Sequence, residues 1–488
     1  MSTLKQQGTK AFIWDFAGKI STHGITFIIS IFLARLLEPA DFGLIAMAMV
    51  FVGIAGIFSE IGLGGALVQR RKVLPIHYAS VFYFNMVVSF VLMALLYFSA
   101  PFIANFYENN ALIPMVQILS ITFVINAFSS VQRTKLRKEL NYALLTKLTF
   151  SSSLLSGIVG ISLAFAGFGV WSLIVQSLFS GILFNLFVWT KSQWKPTASF
   201  SWKALKQLWG YGFRMFLSGF LETLFTKLDT LIIGKLFEAS ALGFFNRAKS
   251  LDRLIVRYSS GSLMSVLFPV LTKVQHNLPR FKNIVVKSLG IIVFITFLFM
   301  GGLYLVSYEL IMMLYGDKWL PTVELFKILV FSGFGYPVSA LLVNILSSRG
   351  NSKAFLRLEI YKKIIGVINL AVAFTWGIEG YLYGLFIVTV LAVYLNIVFA
   401  SKEIFISKLE LIKPIVIQIH LTIITVLIVL FLVQDLSWGL FGMFLVKGVL
   451  FSIIYITLNK LFQIDSFTYF LDEFRPVVGK LRNKMGRG

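Results

Sequence analysis

Hydrophobic and polar positions in this chain alternate on the scale of whole helices. Apolar runs of about 20 residues, the length that crosses a bilayer as an α-helix, are bounded by charged residues, proline or glycine. We predict fourteen membrane spans, at residues 12–34, 42–67, 78–100, 112–130, 147–166, 168–190, 209–234, 244–272, 284–308, 322–346, 360–376, 380–400, 414–433 and 438–458. The first run contains Asp15 and Lys19 and has no small-residue cleavage site, so we expect it to be retained as a span.

Composition agrees with this pattern. Hydrophobic residues make up 58% of the 488 residues and charged residues 13%, whereas soluble domains carry about 25% charged residues. The absence of cysteine excludes disulfides, thiol nucleophiles and cysteine-ligated metals. We therefore predict an all-α integral membrane protein.

Net charge gives the orientation. The chain carries a formal charge of +23, and its basic runs, such as "QRRK" at 69–72 and "QRTKLRK" at 132–138, fall in alternate loops and in the C-terminal tail. Basic loops stay on the cytoplasmic side of a membrane, so both termini are predicted to be cytoplasmic. The positive charge is then a topology signal, and a nucleic-acid partner is not expected.

An internal repeat divides the spans. "ARLLEPADFGL" from Ala34 matches "GKLFEASALGF" from Gly234, and Asn185 corresponds to Asn396 late in each half. Two six-helix bundles with the same orientation predict pseudo-two-fold symmetry and a cavity between them. The predicted domains are residues 1–200 and 201–405 for the two bundles, 406–458 for two additional helices and 459–488 for a basic cytoplasmic tail.

Charged residues within spans are the candidate functional residues, because a charge at bilayer depth usually faces a protein interior or a water-filled cavity. The candidates for lining a substrate cavity are Asp15, Lys19, Glu60, Arg214, Glu222, Lys227, Asp229, Arg253 and Arg257. Their arginines would bind an anionic cargo. The alternative is that these charges form ion pairs within a packed bundle. Lys447, nearer a span end, is expected to reach the headgroups.

The sequence contains fewer signals for ion coupling and for catalysis. Asp15, His23, Glu222 and Asp229 are the candidates for binding a coupling proton or sodium ion, and the ion itself is open. The chain has no phosphate-binding loop, no paired histidines for zinc and no G-x-S-x-G motif. We expect no catalytic residues, no metal and no other cofactor, and hence no enzyme.

The chain resembles the Wzx-type polysaccharide transporters of the multidrug/oligosaccharidyl-lipid/polysaccharide (MOP) exporter superfamily, especially fourteen-span members like the colanic acid exporter. The resemblance rests on "ARLLEPADFGL", "SEIGLGGALVQRR", "KLDTLIIGKLF", "SVLFPVLTKVQ" and "LYGDKW", in that order, and covers nearly the whole chain. It implies two six-helix bundles around a central cavity, plus two further helices that can hold a polyprenyl chain. Asp229 falls in the seventh-span pattern.

The same resemblance implies a function. It predicts a flippase that moves undecaprenyl-pyrophosphate-linked oligosaccharide across the bacterial cytoplasmic membrane by alternating access. Its expected partners are that substrate, membrane lipids, and a polysaccharide polymerase with export machinery. An ion-coupled multidrug efflux carrier is the alternative, and a membrane-bound glycan polymerase or ligase is the third hypothesis.

Overall fold

The computed structural model describes residues 4–59, 61–192, 194–473 and 475; side chains 4–9, 12 and 254–266 lie outside that description. The described residues form helices and turns only. The helices are α1 (Leu4–Leu36), α2 (Pro39–Gly56), α3 (Leu63–Gln69), α4 (Pro75–Tyr107), α5 (Leu112–Lys138), α6 (Tyr142–Phe165), α7 (Val170–Lys191), α8 (Trp202–Leu236), α9 (Ala239–Lys273), α10 (Leu278–Leu305), α11 (Ser307–Tyr315), α12 (Pro321–Gly333), α13 (Gly335–Ser348), α14 (Ser352–Ile404), α15 (Lys408–Val433) and α16 (Leu440–Leu461).

Every predicted span falls on one of these helices or on a broken pair. The second span is broken, because α2 ends in a 3-10 turn at Ile57–Ser59 and α3 follows Gly62, whose φ of 67° suits glycine. Eleven helical segments of the described chain are long and apolar enough to cross a membrane. The all-α membrane fold is thereby confirmed. Helices α8 and α9, which carry most of the predicted intramembrane charges, are not among the eleven, so the count of fourteen stays a prediction.

Several helices begin where the sequence supplies a capping side chain. The side-chain oxygens of Asn141, Ser201, Asn277 and Asn351 each accept a hydrogen bond from the backbone N–H three residues later, at 3.1–3.3 Å. Such bonds satisfy donors that have no partner within the helix. Short polar residues therefore set the starts of α6, α8, α10 and α14.

Helix α14 is a hairpin of two limbs. Gly377 has φ 72° and ψ −167°, so the helical path breaks there. The Asn369 side-chain amide donates to the Tyr381 carbonyl at 3.1 Å, and the Asn351 amide donates to the Glu403 carboxylate at 2.7 Å. Residues as far apart in sequence as these meet only if the limbs run back along each other. The limbs match the predicted spans 360–376 and 380–400.

The chain divides into two compact units, Met1–Asn246 and Arg247–Gly488. In the first unit, α1 packs on α6, α4 packs on α5, and α8 packs on α2, α3 and α4. The structure thus groups α8 with the first unit, whereas the sequence assigned residues 201–405 to the second bundle; that domain assignment stays a prediction.

Within the first unit, the two copies of the repeated motif meet through their glycines. A Cβ atom added to Gly43 would lie 1.7 Å from the Ala239 carbonyl oxygen, and one added to Gly243 would lie 2.0 Å from the Pro39 carbonyl oxygen. Each copy therefore presents a glycine to the helix start of the other. The reciprocity explains why both copies need glycine at this position.

In the second unit, α15 and α16 pack against α10. The Tyr455 hydroxyl shares its one proton between the Gln418 side-chain oxygen at 2.5 Å and the Phe294 carbonyl at 3.2 Å. The Gln418 amide in turn donates to the Asn459 oxygen at 2.6 Å. All three polar side chains are buried. Because a buried polar group is costly unless it is hydrogen-bonded, this network fixes α15 and α16 in one register on α10.

Candidate functional site

The four charged residues of α8 that the sequence singled out differ in burial. Arg214 and Glu222 are exposed, whereas Lys227 and Asp229 are half-buried. The Lys227 side chain extends to α2, where its Cε and Nζ lie 3.4 and 3.9 Å from the position of a Cβ on Gly53. The absent side chain of Gly53 thus makes room for the lysine beside α2.

Asp229 is oriented by the residue that follows it. One of its carboxylate oxygens accepts hydrogen bonds from the Thr230 backbone N–H at 2.7 Å and from the Thr230 hydroxyl at 3.2 Å. Bonds of this kind favour a fixed carboxylate rotamer. Asp229 and Lys227 are therefore the two predicted α8 charges that are partly buried, the first held by Thr230 and the second lying beside α2.

The predicted charges of α1 are arranged differently. Asp15 and Lys19 form an ion pair at 2.6 Å, one turn apart, and the Lys19 side chain is 61% exposed. His23 is half-buried one turn further on. The neighbouring contact, in which the Thr146 hydroxyl donates to the Trp14 carbonyl, belongs to α6. For Asp15 and Lys19, the structure therefore shows the intrahelical pair that the sequence left as the alternative to a cavity.

The remaining predicted residues lie in α9 or outside the description. Arg253 is exposed on α9, next to the half-buried Asp252. The side chain of Arg257 and the whole of Glu60 lie outside the described residues. The cavity predicted between the two bundles, and the roles of these residues in it, stay predictions.

Two cavities in the first unit meet at Arg133, which the sequence assigned to a cytoplasmic loop. One has a volume of about 450 Å³ and the other about 310 Å³, and both are lined by Asn126 and Arg133. The larger is lined also by Gly56, Ile57, Ser59, Gly62, Gly65, Ser130, Met215 and Phe216. The smaller is lined also by Met49, Val52, Thr122, Ile125, Thr149, Ser152, Ser153, Ser177, Leu178, Ser180, Gly181 and Phe184.

Arg133 is within a helix because α5 continues to Lys138, well past the predicted span end at residue 130. Its guanidinium carbon lies 4.2 Å from the ring centroid of Phe184 on α7. Asn126, Ser129, Ser130 and Arg133 recur along α5 at the three- and four-residue spacing of one helical face. That polar stripe is the signal in the sequence that would have indicated a polar lining.

The second unit has a cavity of opposite chemistry. It has a volume of about 200 Å³ between α10, α12 and α15. Its lining is nearly all apolar: Phe297, Met300, Gly301, Tyr304, Val330, Phe331, Phe334, Thr422, Ile423, Val426, Leu427 and Leu430. Such a lining suits hydrocarbon rather than sugar or phosphate.

The same unit contains a buried ion pair. The Lys447 ammonium on α16 donates to a Glu309 carboxylate oxygen on α11 at 2.5 Å, and the two side chains are 14% and 4% exposed. The expectation that Lys447 reaches the headgroups was wrong, because Glu309 holds it inside the unit. Among the described residues, no group of three His, Asp or Glu side chains is placed to hold a metal ion.

Comparison with solved structures identifies the fold. The chain is similar to the structure of the lipid II flippase MurJ in an inward closed conformation, with a TM-score of 0.69, 16% identity, and coverage of 95% of this chain and 100% of the other. It is also similar to an inward-facing multidrug resistance MATE transporter of the MOP superfamily, with a TM-score of 0.59, 17% identity, and coverage of 78% and 94%. The chain therefore has the fold of these two transporters.

Sequence comparison places the chain more narrowly. It belongs to the polysaccharide biosynthesis protein family, whose profile matches residues 32–324, and the resemblance inferred from the sequence is confirmed. Relatives include the teichuronic acid biosynthesis protein TuaB of Bacillus subtilis, 27% identical over 57% of this chain. The lipopolysaccharide biosynthesis protein WzxC of Escherichia coli is 21% identical over 70% of this chain and 70% of its own length. The match spans 58% of the length of TuaB, which is less than two thirds.

Proposed function

We propose that this protein is a flippase that moves undecaprenyl-pyrophosphate-linked oligosaccharide from the cytoplasmic to the outer leaflet by alternating access, for surface polysaccharide biosynthesis. The observation that carries the proposal is the combination of polysaccharide biosynthesis family membership with a lipid-flippase fold along 95% of the chain. The names of TuaB, WzxC and the succinoglycan transport protein ExoT of Rhizobium meliloti support a glycan cargo. The function assigns no bond-making step to the protein, so it is a carrier and not an enzyme.

The two kinds of cavity suit the two parts of such a cargo. Sugars and pyrophosphate need hydrogen-bond donors, which the serine, threonine, asparagine and arginine side chains of the first unit supply. A polyprenyl chain needs an apolar surface, which the cavity between α10, α12 and α15 supplies. Lys227, at half-burial beside α2, adds positive charge for the pyrophosphate.

The setting of the proposal is the bacterial cytoplasmic membrane, with both termini in the cytoplasm. Its support is the positive charge of residues 69–72 and of the C-terminal end of α5 at residues 132–138. A polysaccharide polymerase and export machinery would take the flipped product. Asp15, His23, Glu222 and Asp229 stay the candidates for binding a proton or sodium ion, and transport under imposed pH, sodium and voltage gradients would identify the driving force.

Deletion of the gene in its host tests the function. We expect loss of surface polysaccharide and accumulation of lipid-linked repeat units on the cytoplasmic leaflet, both reversed by the intact gene. Two variants of the restored gene, Asp229→Asn at a half-buried position and Glu222→Gln at an exposed one, each keep the side-chain size, remove the charge and test these two candidates separately. Normal lipid-linked pools with intact polymer in the deletion strain would reject the proposal.

A multidrug-type efflux carrier is the second candidate, because the fold is shared with a MATE transporter. The described linings of the three cavities contain an arginine and no carboxylate, which disfavours cationic drugs. Deletion would then leave polysaccharide intact and increase drug sensitivity. The third hypothesis, a glycan polymerase or ligase, requires product formation by the purified protein from defined lipid-linked glycan.

A further inference from the structure

Two segments of the first unit, residues 69–80 and 191–210, form one basic surface. Together they contain seven lysine and arginine residues and no aspartate or glutamate. The cations are Arg70, Arg71, Lys72, Lys191, Lys195, Lys203 and Lys206. The segments adjoin the predicted spans 78–100 and 209–234, so the predicted orientation places them at the cytoplasmic side of the membrane.

Hydrogen bonds bring the two segments together. The Gln207 side-chain oxygen accepts a hydrogen bond from the Arg70 guanidinium at 2.6 Å, and the Ser201 backbone N–H donates to the Ser80 hydroxyl at 2.9 Å. Between these bonds, Leu205 of α8 is buried in an apolar cluster that also contains residues of α3 and α4. The cations that flank the contact therefore lie on one surface rather than on two separate loops.

The first turns of α8 present aromatic and basic side chains outward. Trp202, Lys206 and Trp209 recur at the four- and three-residue spacing of one helical face, and all three are exposed. The Phe84 ring of α4 lies 6.4 and 6.1 Å from the rings of the two tryptophans and holds them against the first unit. Tryptophan concentrates at membrane–water interfaces, and lysine extends its ammonium to the headgroups there.

The second unit treats its cations on the predicted cytoplasmic side differently, because carboxylates pair with several of them. These pairs are Arg349 with Glu403 at 3.7 Å and Lys362 with Glu359 at 2.5 Å. In the first unit, Glu139 at the end of α5 lies 3.6 Å from Lys135 of its own helix, and the two basic segments supply no carboxylate. Retention of positive charge in the cytoplasm applies to both units, so it does not account for this difference.

We propose that this basic surface binds the anionic phospholipid headgroups of the surrounding leaflet. The lysines pair with phosphate oxygens, and Trp202 and Trp209 lie beside the upper acyl chains. A membrane is the partner that offers anionic and apolar groups side by side next to the start of a span. Such binding fixes the depth of α8 in the leaflet, and it does not depend on the identity of the cargo.

The test uses a fluorophore at a single position, since the chain contains no cysteine. Ala198→Cys, exposed within the basic surface, carries a bimane label, and Ser437→Cys in the exposed turn before α16 is the control. Each full-length variant is placed in nanodiscs of phosphatidylcholine and phosphatidylglycerol. Two sets of nanodiscs have the same headgroup composition, and either the phosphatidylglycerol or an equal amount of phosphatidylcholine carries a nitroxide quencher near the top of its acyl chain. If Ala198→Cys does not fold, Thr197→Cys replaces it.

We expect the Ala198→Cys label to be quenched about threefold more strongly when the phosphatidylglycerol carries the nitroxide, because cations at a membrane surface concentrate anionic lipid around them. Added salt should reduce this preference, since it screens exposed charges. At Ser437→Cys the two sets should quench equally. Equal quenching at Ala198→Cys, or a preference that salt does not change, would overturn the proposal.

Charge removal assigns the effect to the basic surface. Lys203→Gln together with Lys206→Gln should abolish most of the preference at Ala198→Cys. The matched control is Lys402→Gln together with Lys408→Gln, two exposed lysines of the second unit, which should leave the preference unchanged. A preference that survives the first pair of substitutions, or that the second pair removes equally well, rejects the assignment.

A small amount of undecaprenyl pyrophosphate distinguishes phospholipid from the lipid carrier of the proposed cargo. Added at a minor fraction of the phosphatidylglycerol, it should leave the preference at Ala198→Cys unchanged. If it abolishes the preference, the surface selects the carrier and the proposal of a phospholipid surface is rejected. A deletion strain with normal polysaccharide rejects the flippase instead and leaves the quenching results standing, so the two failures are distinguishable.

Discussion

Both units of this protein are built from α-helices, yet the cavities that they enclose have opposite chemistry. In the first unit, α5, α6 and α7 surround a polar cavity with one arginine, whereas in the second, α10, α12 and α15 surround an apolar one. The repeat nevertheless keeps shared contacts. The Asn185 amide donates to the Ile125 carbonyl at 2.7 Å, and its counterpart Asn396 donates to the Ser339 hydroxyl at 2.7 Å. The repeat thus preserves how helices are joined, while the side chains between them decide what each unit can bind.

The units also differ in how they use buried charge. The second unit neutralises its buried lysine internally, through Lys447 and Glu309. The first unit stacks its arginine on an aromatic ring beside a cavity. A charge that is paired inside the protein serves packing, and one presented to a cavity serves binding. This contrast predicts which substitutions damage stability and which damage transport.

The largest effect on stability is expected for Lys447→Met. It leaves the Glu309 carboxylate buried without its cation, and removal of one partner of a buried pair costs about 3–5 kcal/mol. The measurement is reversible unfolding in mixed micelles. Lys327→Met is the matched control in the same unit, because its pair with Glu324 at 2.7 Å is more exposed and should cost about 1 kcal/mol or less.

Arg133→Met tests the same contrast in the first unit. It keeps most of the packing on Phe184 and removes the charge, so we expect a loss of about 1 kcal/mol in stability together with loss of transport. If Arg133→Met costs as much stability as Lys447→Met, Arg133 serves packing as Lys447 does. The contrast between the two units is then rejected.

The next effect concerns the reciprocal glycines. Gly43→Ala and Gly243→Ala each place a Cβ within 2.0 Å of a carbonyl oxygen of the other motif copy. Overpacking of this kind costs about 1–3 kcal/mol, and the two costs should be similar because the contacts are. Gly24→Ala, where nothing lies within 4 Å of the added Cβ, is the control. Strongly unequal costs would mean that the two motif copies are not equivalent.

A smaller effect is expected at the repeated asparagines. Asn185→Leu and Asn396→Leu remove matched interhelical hydrogen bonds, which are worth about 1 kcal/mol each in a membrane protein. We expect equal losses from the two substitutions in the same unfolding measurement. A loss of stability from only one of the two substitutions would indicate that the repeated asparagine stabilises only that unit.

The sequence located the helices but not the cavities that the structure describes, and the reason is physical. Apolar runs are local signals, so the helices followed from them, and the gap between the predicted spans 360–376 and 380–400 contains the break at Gly377 in α14. Arg133 belongs to a basic run that also marks topology, and its meaning depends on Phe184, about fifty residues away in the chain. Lys447 was assigned to the headgroups because its partner Glu309 is on another helix. Local periodicity in the sequence does not show which residues of different helices contact each other.

The smallest effect is expected at the surface of the first unit, where Lys235 and Glu108 form an exposed ion pair at 2.5 Å between the ends of α8 and α4. The hydrogen bond from Lys235 and its positive charge lower the pKa of the Glu108 carboxyl. Because the folded-state pKa is below the unfolded one, the pair's contribution is present above the ordinary carboxyl pKa and is lost as pH falls through the lowered value. Glu108→Gln should therefore lower Tm slightly at pH 7 and not at all in acid, and added salt should reduce the difference at pH 7. A difference that persists in acid and in salt would mean that Glu108 stabilises the protein through packing rather than through its charge. The exposed pair would then serve packing, as the buried pair of the second unit does.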